Sequence, residues 1–562
     1  MLSTPPGAHL SSMIFALPFV VSSWASLAAQ SSQAPDLASG VGSWIALPTP
    51  ILCEARGEEA LPTPLSSGSH ISRASDGSST RAPAPAPRFP IATLQKILED
   101  PVPGTRAGRI DFFKSSSSIL ARGDPAAIEA ARQRIAEFDR AAEALAIDLE
   151  VDLGGSSRSD GGDAASAGPD HWTQRRRVLS GDEAFFGERH TTGFLMSFDV
   201  EVAADSGIAA PVLGSASYGH TLHVRAARVD GGRRVHIQGL LDLSELTSLE
   251  RFDPETPDLG VIQEPALDFV QVAFAGVVDS GGALEVRVAG APLARPDWKL
   301  TVKAVTRPDD APAKDPAARD AAAKSAFLEV VDLAYLSGDP TPPPAVLPGG
   351  ELDRLAAFIP SPRGPVAIPP AAIAAALESR SSENSAGRAT TWWGEDLLIL
   401  RRADTTARAE ARSLVAAGEA ARLSTCRIEA RQGGLSASFP ACAGSPARLL
   451  AGREHTALVG YKVEIAPQTW MAAPEVQKLF DGLALSAQVV PGAAECSLWI
   501  SKSAPAQVVV RGDAQLGKLQ VLSRSLRTER ARILAGEGER ELAARTPQGA
   551  PADAVILRCL VP

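Results

Sequence analysis

Along residues 119–151 the apolar positions change their period. Ile119 and Leu120 end a short apolar run, and Asp124 and Pro125 follow. Ile128, Ala131, Ile135 and Phe138 then recur at helical spacing. Asp124 suits the N-cap, and Pro125 at the first helical position gives up no hydrogen bond that the helix would make. From residue 147 the period falls to two, with Ile147, Leu149 and Val151 alternating with Asp148, Glu150 and Asp152, as in a strand with one buried face. The pattern predicts a strand, a capped helix and a second strand.

The same order returns later in the chain. Phe112-Phe113 matches Trp392-Trp393, Ile119-Leu120 matches Ile399-Leu400, and Asp124 matches Asp404, before Glu150 meets Glu429. Residues 194–222 align without gaps on 457–485, with Leu195, Val200, Glu201, Ala203, Ala209, Ala210, Pro211, Gly219 and Leu222 identical. Leu259-Gly260-Val261-Ile262-Gln263 is similar to Leu516-Gly517-Lys518-Leu519-Gln520. The chain therefore reads as a tandem in which each half has a small α/β part followed by a β-rich part.

Breaks in the pattern set the expected boundaries. Residues 13–29 are uncharged and end in Leu27-Ala28-Ala29, which predicts a secretory signal peptide over 1–29 and an exported protein. A disordered leader is expected over 30–88, rich in Ser, Pro, Ala and Gly. An α/β module then covers 89–153, a flexible loop 154–176, a β domain 177–306, a linker 307–350, a second α/β module 351–432 and a second β-rich module 433–562. The expected class is α+β.

Composition narrows the function. Of 562 residues, 45% are hydrophobic but only 5% aromatic, and the net charge is −10. The cores must be aliphatic, and the basic footprint of a phosphate-backbone binder is missing, so nucleic acid is not an expected partner. Five cysteines, at 53, 426, 442, 496 and 559, form no CxxC pair. Cys426 with Cys442 is a candidate bridge, against buried or unpaired thiols as the alternative.

The helix ending Arg134-Ile135-Ala136-Glu137-Phe138-Asp139, with the strand from Ile147, resembles the ring-building N domains of secretins. Secretins are the oligomeric outer-membrane channels of type II and type III secretion systems and of type IV pili. Val178 to Gly187 is similar to that family's turn followed by an Ala-containing strand, and Tyr218 to Val224 to its Gly-x-x-Leu-x-Val strand opening. The resemblance covers most of 90–300 and, more faintly, 390–545. It implies a non-enzymatic envelope protein of the periplasm or outer membrane that self-associates or joins other secretion components. The family's long gate hairpin has no counterpart beyond the polar residues 154–176, which leaves a monomeric periplasmic binding or scaffold protein without a pore as the alternative.

There is no HExxH, no Gly-x-Ser-x-Gly and no phosphate-binding GxxxxGK[ST]. His220, His223 and His236 could meet across a hairpin as metal ligands, although scattered His on a strand face is commoner. His190-Thr191 and His455-Thr456 each stand before the aligned strand, where a duplicated turn explains them without a site. Arg122-Gly123-Asp124 and Arg511-Gly512-Asp513 spell an adhesion triplet, but Gly and Asp are ordinary turn and cap residues. No catalytic, cofactor-binding or metal-binding residue is assigned, no cofactor is expected, and membrane association is left open.

Overall fold

The computed structural model describes residues 118–156, 171–203, 206–255, 259–290, 297–307, 405–420, 422–443, 447–467 and 469–489, with shorter stretches at 45–48, 71–73, 94–95, 97–98, 110–114, 292–293, 328–337, 371–375, 390–393, 396–401, 445, 495–503, 507–513, 517–523, 526–534, 540–542 and 555–560. The expected signal peptide, residues 157–170, Asp404 and Cys53 lie outside the described residues.

Two small α/β units flank the main body. In the first, β1 (Ile45–Pro48), β4 (Ser118–Gly123) and β3 (Ile110–Lys114) form an antiparallel sheet in that order, with α1 (Pro125–Ala144) against it. Asp124 caps α1, its Oδ1 accepting from the Ala126 N–H at 2.9 Å. Ile128, Ala131, Ile135 and Phe138 are all buried, as the helical period predicts. In the second unit, β13 (Leu328–Asp332), β15 (Leu397–Arg401) and β14 (Thr390–Trp393) form a like sheet with α2 (Ala334–Ser337) and α3 (Thr405–Ala420). The run Leu397-Leu398-Ile399-Leu400 is apolar without alternation because it is buried on both faces: Leu397 and Ile399 join the first unit's core, Leu398 and Leu400 the second's. A buried arginine in each unit satisfies two successive carbonyls. Arg134 donates to Ile97 O and Leu98 O at 2.8 and 2.7 Å, and Arg422 to Tyr335 O and Leu336 O at 3.0 and 2.9 Å.

The main body is two facing antiparallel sheets. The nine-stranded sheet runs β7 (Glu183–Val202), β8 (Gly207–Val229), β9 (Arg234–Phe252), β10 (Ile262–Asp279), β18 (Ala447–Ala466), β19 (Thr469–Val489), β20 (Glu495–Ser503) and β23 (Leu526–Leu534), with the short β2 (Ile71–Arg73) also on β8. The eight-stranded sheet runs β24 (Arg540–Leu542), β25 (Val555–Leu560), β16 (Thr425–Gln432), β17 (Leu435–Cys442), β11 (Ala283–Ala289), β12 (Asp297–Thr306), β5 (Ala146–Ser156) and β6 (His171–Leu179). A separate hairpin pairs β21 (Gln507–Asp513) with β22 (Gly517–Ser523). Alternate residues of the two facing sheets form the largest core, with Ile147, Leu149 and Val151 meeting residues such as Leu222, Val224, Val270 and Val272.

Several boundaries differ from expectation. The strand after each helix does not close the α/β unit: β5 pairs with β12 and β6, and β16 with β17 and β25. Alternation marks a half-buried strand but carries no information about which sheet claims it. The leader contributes β1, whose Leu47 is buried against β4, and β2, whose Ile71 is buried beside β8. Residues 154–156 and 171–176 of the expected flexible loop belong to β5 and β6, and β13 lies inside the expected linker. The α+β class holds only coarsely, since antiparallel strands dominate. Tyr218 to Val224 lies in the middle of β8 rather than opening it, and His190 and His455 lie inside twenty-residue strands rather than at a turn.

The segments aligned in sequence also share their pairing. Val200 opposes Ala209 and Val463 opposes Ala472; Phe198 opposes Pro211 and Tyr461 opposes Pro474. The register slips between Leu195 and Ser197 in β7, and between Leu458 and Gly460 in β18, at the same offset of 263. A bulge takes a backbone N–H out of its ladder, and a buried N–H must find another acceptor. Gln263 Oε1 accepts from Leu195 N at 2.9 Å, and Gln520 Oε1 from Leu458 N at 2.9 Å. The matched glutamines of the sequence are thus bulge clamps.

Two outcomes follow from these contacts. Gln520→Ala leaves the buried Leu458 N–H without its acceptor and should destabilise the fold by about 1–3 kcal/mol in urea unfolding, with Gln263→Ala acting in the same direction. Glu419 is buried, with Oε2 accepting from Asp230 N at 2.9 Å, and burial pushes its carboxyl up to about 7. Its folded value lies above the unfolded one, so its contribution is fully present below about pH 4.5 and is lost as pH rises through about 7. Glu419→Gln should therefore flatten the stability profile between those pH values, gaining up to about 3 kcal/mol on wild type at pH 8.

Candidate assembly surfaces

The two halves of the chain join edge to edge in both sheets at once. In the nine-stranded sheet, β10 pairs with β18 from Ala266 opposite His455 to Ala273 opposite Arg448. In the eight-stranded sheet, β11 pairs with β17 over Arg287–Ala289 and Ser436–Ser438. Asp268 and Arg453 face each other across the first seam in a bidentate pair, Nε to Oδ1 at 2.7 Å and Nη2 to Oδ2 at 2.9 Å. Asp268 is buried while Arg453 is half exposed, and the hydrogen bond from the guanidinium to Asp268 holds the Arg453 pKa above its usual value.

Pairing order makes β7 and β6 the counterparts of β18 and β17, and β23 and β24 the counterparts of β10 and β11. Each half is a four-strand meander in one sheet and a four-strand set in the other. Among the described residues, β6 and β7 end the sheets on one side and β23 and β24 on the other. The two ends differ. β6 and β7 have 9 and 20 residues, whereas β24 has 3, and the hairpin matching β9–β10 is split into β20–β23 and β21–β22. Where β10 meets β18, the second half has β22 ending at Ser523 and β23 starting at Leu526. The tail edge is short and broken, the usual way a sheet end is blunted against pairing.

The far half of the β7–β8 hairpin bends across the other half. Ser197 Oγ donates to Pro474 O at 2.7 Å, and Lys478 Nζ donates to Ile71 O. Buried charges lie beneath it: Gln271 Nε2 donates to Asp242 Oδ2 at 3.1 Å, and burial lowers the Arg189 pKa while Asp242 and Glu454 oppose that shift. Burial likewise lowers Lys478, with Glu454 opposing. Cations and carboxylates alternate there, so the set reads as internal charge balance rather than as a ligand site.

The C-terminal ends of β7, β9 and β18 lie at one end of the nine-stranded sheet, as the antiparallel order requires, and the Lys518 N–H of β22 donates to Pro254 O at that end. Exposed large apolar side chains collect near that end: Ile208, Leu213, Ile465, Trp470, Val509 and Val510, with Ile465 79% exposed. No helix of the described residues is long and apolar enough to cross a membrane.

The residues singled out by sequence do not converge. The His220 ring lies 4.5 Å from Trp298, His223 Nε2 lies 3.0 Å from Glu183, and the His236 ring is buried 4.8 Å from Tyr335, its pKa pushed down to about 3 chiefly by burial. They share no site. His190 packs near Tyr218 and His455 lies 3.8 Å from Asp481, on different strands. The first Arg-Gly-Asp ends β4 and caps α1, and the second ends β21. Cys426 and Cys442 do not bridge: Cys426 opposes Ala441 and Cys442 opposes Thr425, so the thiols point to opposite faces of the sheet. Sequence reasoning missed a group that the fold assembles, Cys426, Cys496 and Cys559, whose sulfurs lie within 4.8 Å of one another. Their sequence spacing, 70 and 63 residues, carries no motif.

No family model and no curated protein matches this chain. Solved structures similar to it are secretins. The InvG secretin-domain β-barrel of the Salmonella SPI-1 injectisome is 12% identical, over 43% of this chain and 86% of that chain, with a TM-score of 0.20. The V. cholerae type IV competence pilus secretin PilQ is 11% identical, over 38% and 75%, with a TM-score of 0.20. The E. coli K12 type II secretion system secretin GspD is 11% identical, over 50% and 74%, with a TM-score of 0.18.

The seam gives a direct test. Arg453→Met strands the buried Asp268 carboxylate and should cost about 1–3 kcal/mol of stability by chemical denaturation. Adding Asp268→Asn should recover much of the loss, and additive effects in the double-mutant cycle would show the pair to be uncoupled.

Proposed function

We propose that this chain is an exported, non-enzymatic, secretin-like envelope protein, a component or relative of protein-secretion machinery, in which one polypeptide carries two successive wall segments. The observation that carries this reading is the double seam, β10 on β18 and β11 on β17, at which two four-strand sets pair edge to edge in both layers. A contact between unlike edges can be repeated by a further copy, giving a ring where the rotation closes and a filament where it does not. The free β6 and β7 offer the next copy the edge that β17 and β18 offer within the chain. The apolar hairpin ends support contact with a membrane or with another envelope protein at that end of the sheet.

A second reading is a monomeric periplasmic scaffold that has lost the pore. The short, broken β23 and β24 edge and the crossing of the β7–β8 hairpin over β19 favour it. Size-exclusion chromatography with light scattering on the purified mature chain separates the two. Assembly requires a mass of several chains at micromolar concentration, with rings or arcs in negative stain. A strict monomer, soluble without detergent, would remove the assembling version and leave the scaffold.

A further inference from the structure

Three of the five cysteines meet at one point in the core between the facing sheets. Cys426 on β16 and Cys559 on β25 share a face of the eight-stranded sheet, since Ile428 opposes Cys559 and Cys426 stands two residues away. Cys496, in β20, comes from the facing nine-stranded sheet. All three are buried, and among the described residues no His, Asp or Glu joins the group.

The first half of the chain shows what packing alone requires at these positions. Under the shared registers, Cys426 falls where β5 has Ile147, Cys559 where β12 has Ala304, and Cys496 where β9 has Ile237. Each match is fixed by the partner strand: Leu149 opposes Ala304 as Ile428 opposes Cys559, and Ala226 opposes Ile237 as Val489 opposes Cys496. Ile147, Ile237 and Ala304 are buried in the same core and fill it with hydrocarbon. Three sulfurs in place of that hydrocarbon, on strands far apart in sequence, are therefore not needed to close the sandwich.

We propose that Cys426, Cys496 and Cys559 form a three-sulfur binding site for a soft monovalent d10 metal ion of the Cu(I) class. Soft sulfur ligands select such ions. An ion ~2.3 Å from each of three sulfurs needs sulfur separations of roughly 4 Å, a small closure of the triangle seen here. With only three sulfurs and an apolar surround, zinc would lack the fourth ligand that its structural sites use. Binding displaces one proton from the trio, so that one thiolate cancels the single positive charge of the ion, and involves no change of oxidation state. The site lies within one chain and stands whether or not copies assemble.

The test uses the full chain, reduced under anaerobic conditions and titrated with Cu(I) against a chromogenic competing chelator. Wild type should hold one equivalent more than the variant Cys426→Ile, Cys496→Ile, Cys559→Ala, which installs the residues of the first half and should keep the wild-type circular dichroism spectrum. Cys496→Val alone should weaken retention at least tenfold, and it carries the test should the triple variant fail to fold. Equal uptake by wild type and variants would overturn the proposal. So would a zinc preference over Cu(I), or a disulfide within the trio found by mass mapping of the protein isolated without reductant.

Discussion

Every strand at the end of a sheet exposes backbone groups that need partners, and that obligation organises this molecule. Its two halves meet these needs through each other, β10 against β18 in one layer and β11 against β17 in the other. The consequences spread outward from the seam. Pairing in both layers fixes the two sheets over one another, so their inner faces make one continuous core instead of two separate ones. The same constraint gives each bulge its glutamine clamp, because an N–H that has left the ladder inside a packed body has no water to turn to.

Local chemistry was readable from the sequence and allegiance was not. The N-cap at Asp124, the buried stripe Ile128 to Phe138 and the alternation Ile147 to Val151 depend on neighbours within a few residues, and they appear where the pattern puts them. The sheet that claims β5 depends on β12, about 150 residues on, and no periodicity encodes that choice. Composition misled in the leader for a related reason. A Pro- and Ser-rich stretch cannot order itself, yet four residues around Leu47 can be ordered by an edge that something else has built. Of the candidate site groups, the histidines could be named but not placed, and the converging cysteines lack a spacing motif because three strands in two sheets bring them together.

The halves are alike in pairing and unlike in finish. The first keeps unbroken β9 and β10, aliphatic core positions at 147, 237 and 304, and a long free edge in β7. The second interrupts the matching hairpin, shortens its last edge to β24 and places sulfur at the three matching core positions. These departures gather toward the C-terminal side of the seam, and those in the edge strands act in one direction. A strand broken in its middle cannot present a continuous ladder, so the tail edge offers less to a further copy than β10 already gives to β18.

That asymmetry bears on what such a chain can build. A ring of identical contacts needs a tail edge as good as the internal seam, because every junction must close with the same geometry. Here the internal seam includes eight paired positions in one layer and an ion pair between the buried Asp268 and the half-exposed Arg453, while the position of Arg453 is taken by His190 at the free head edge. In the proposed assembly, the contact between chains would then be weaker than the contact within them. In that assembly, chains would add in steps of two segments, with the seam inside each chain already formed and the end strands β6, β7, β23 and β24 as the edges where concentration decides whether the next chain is added.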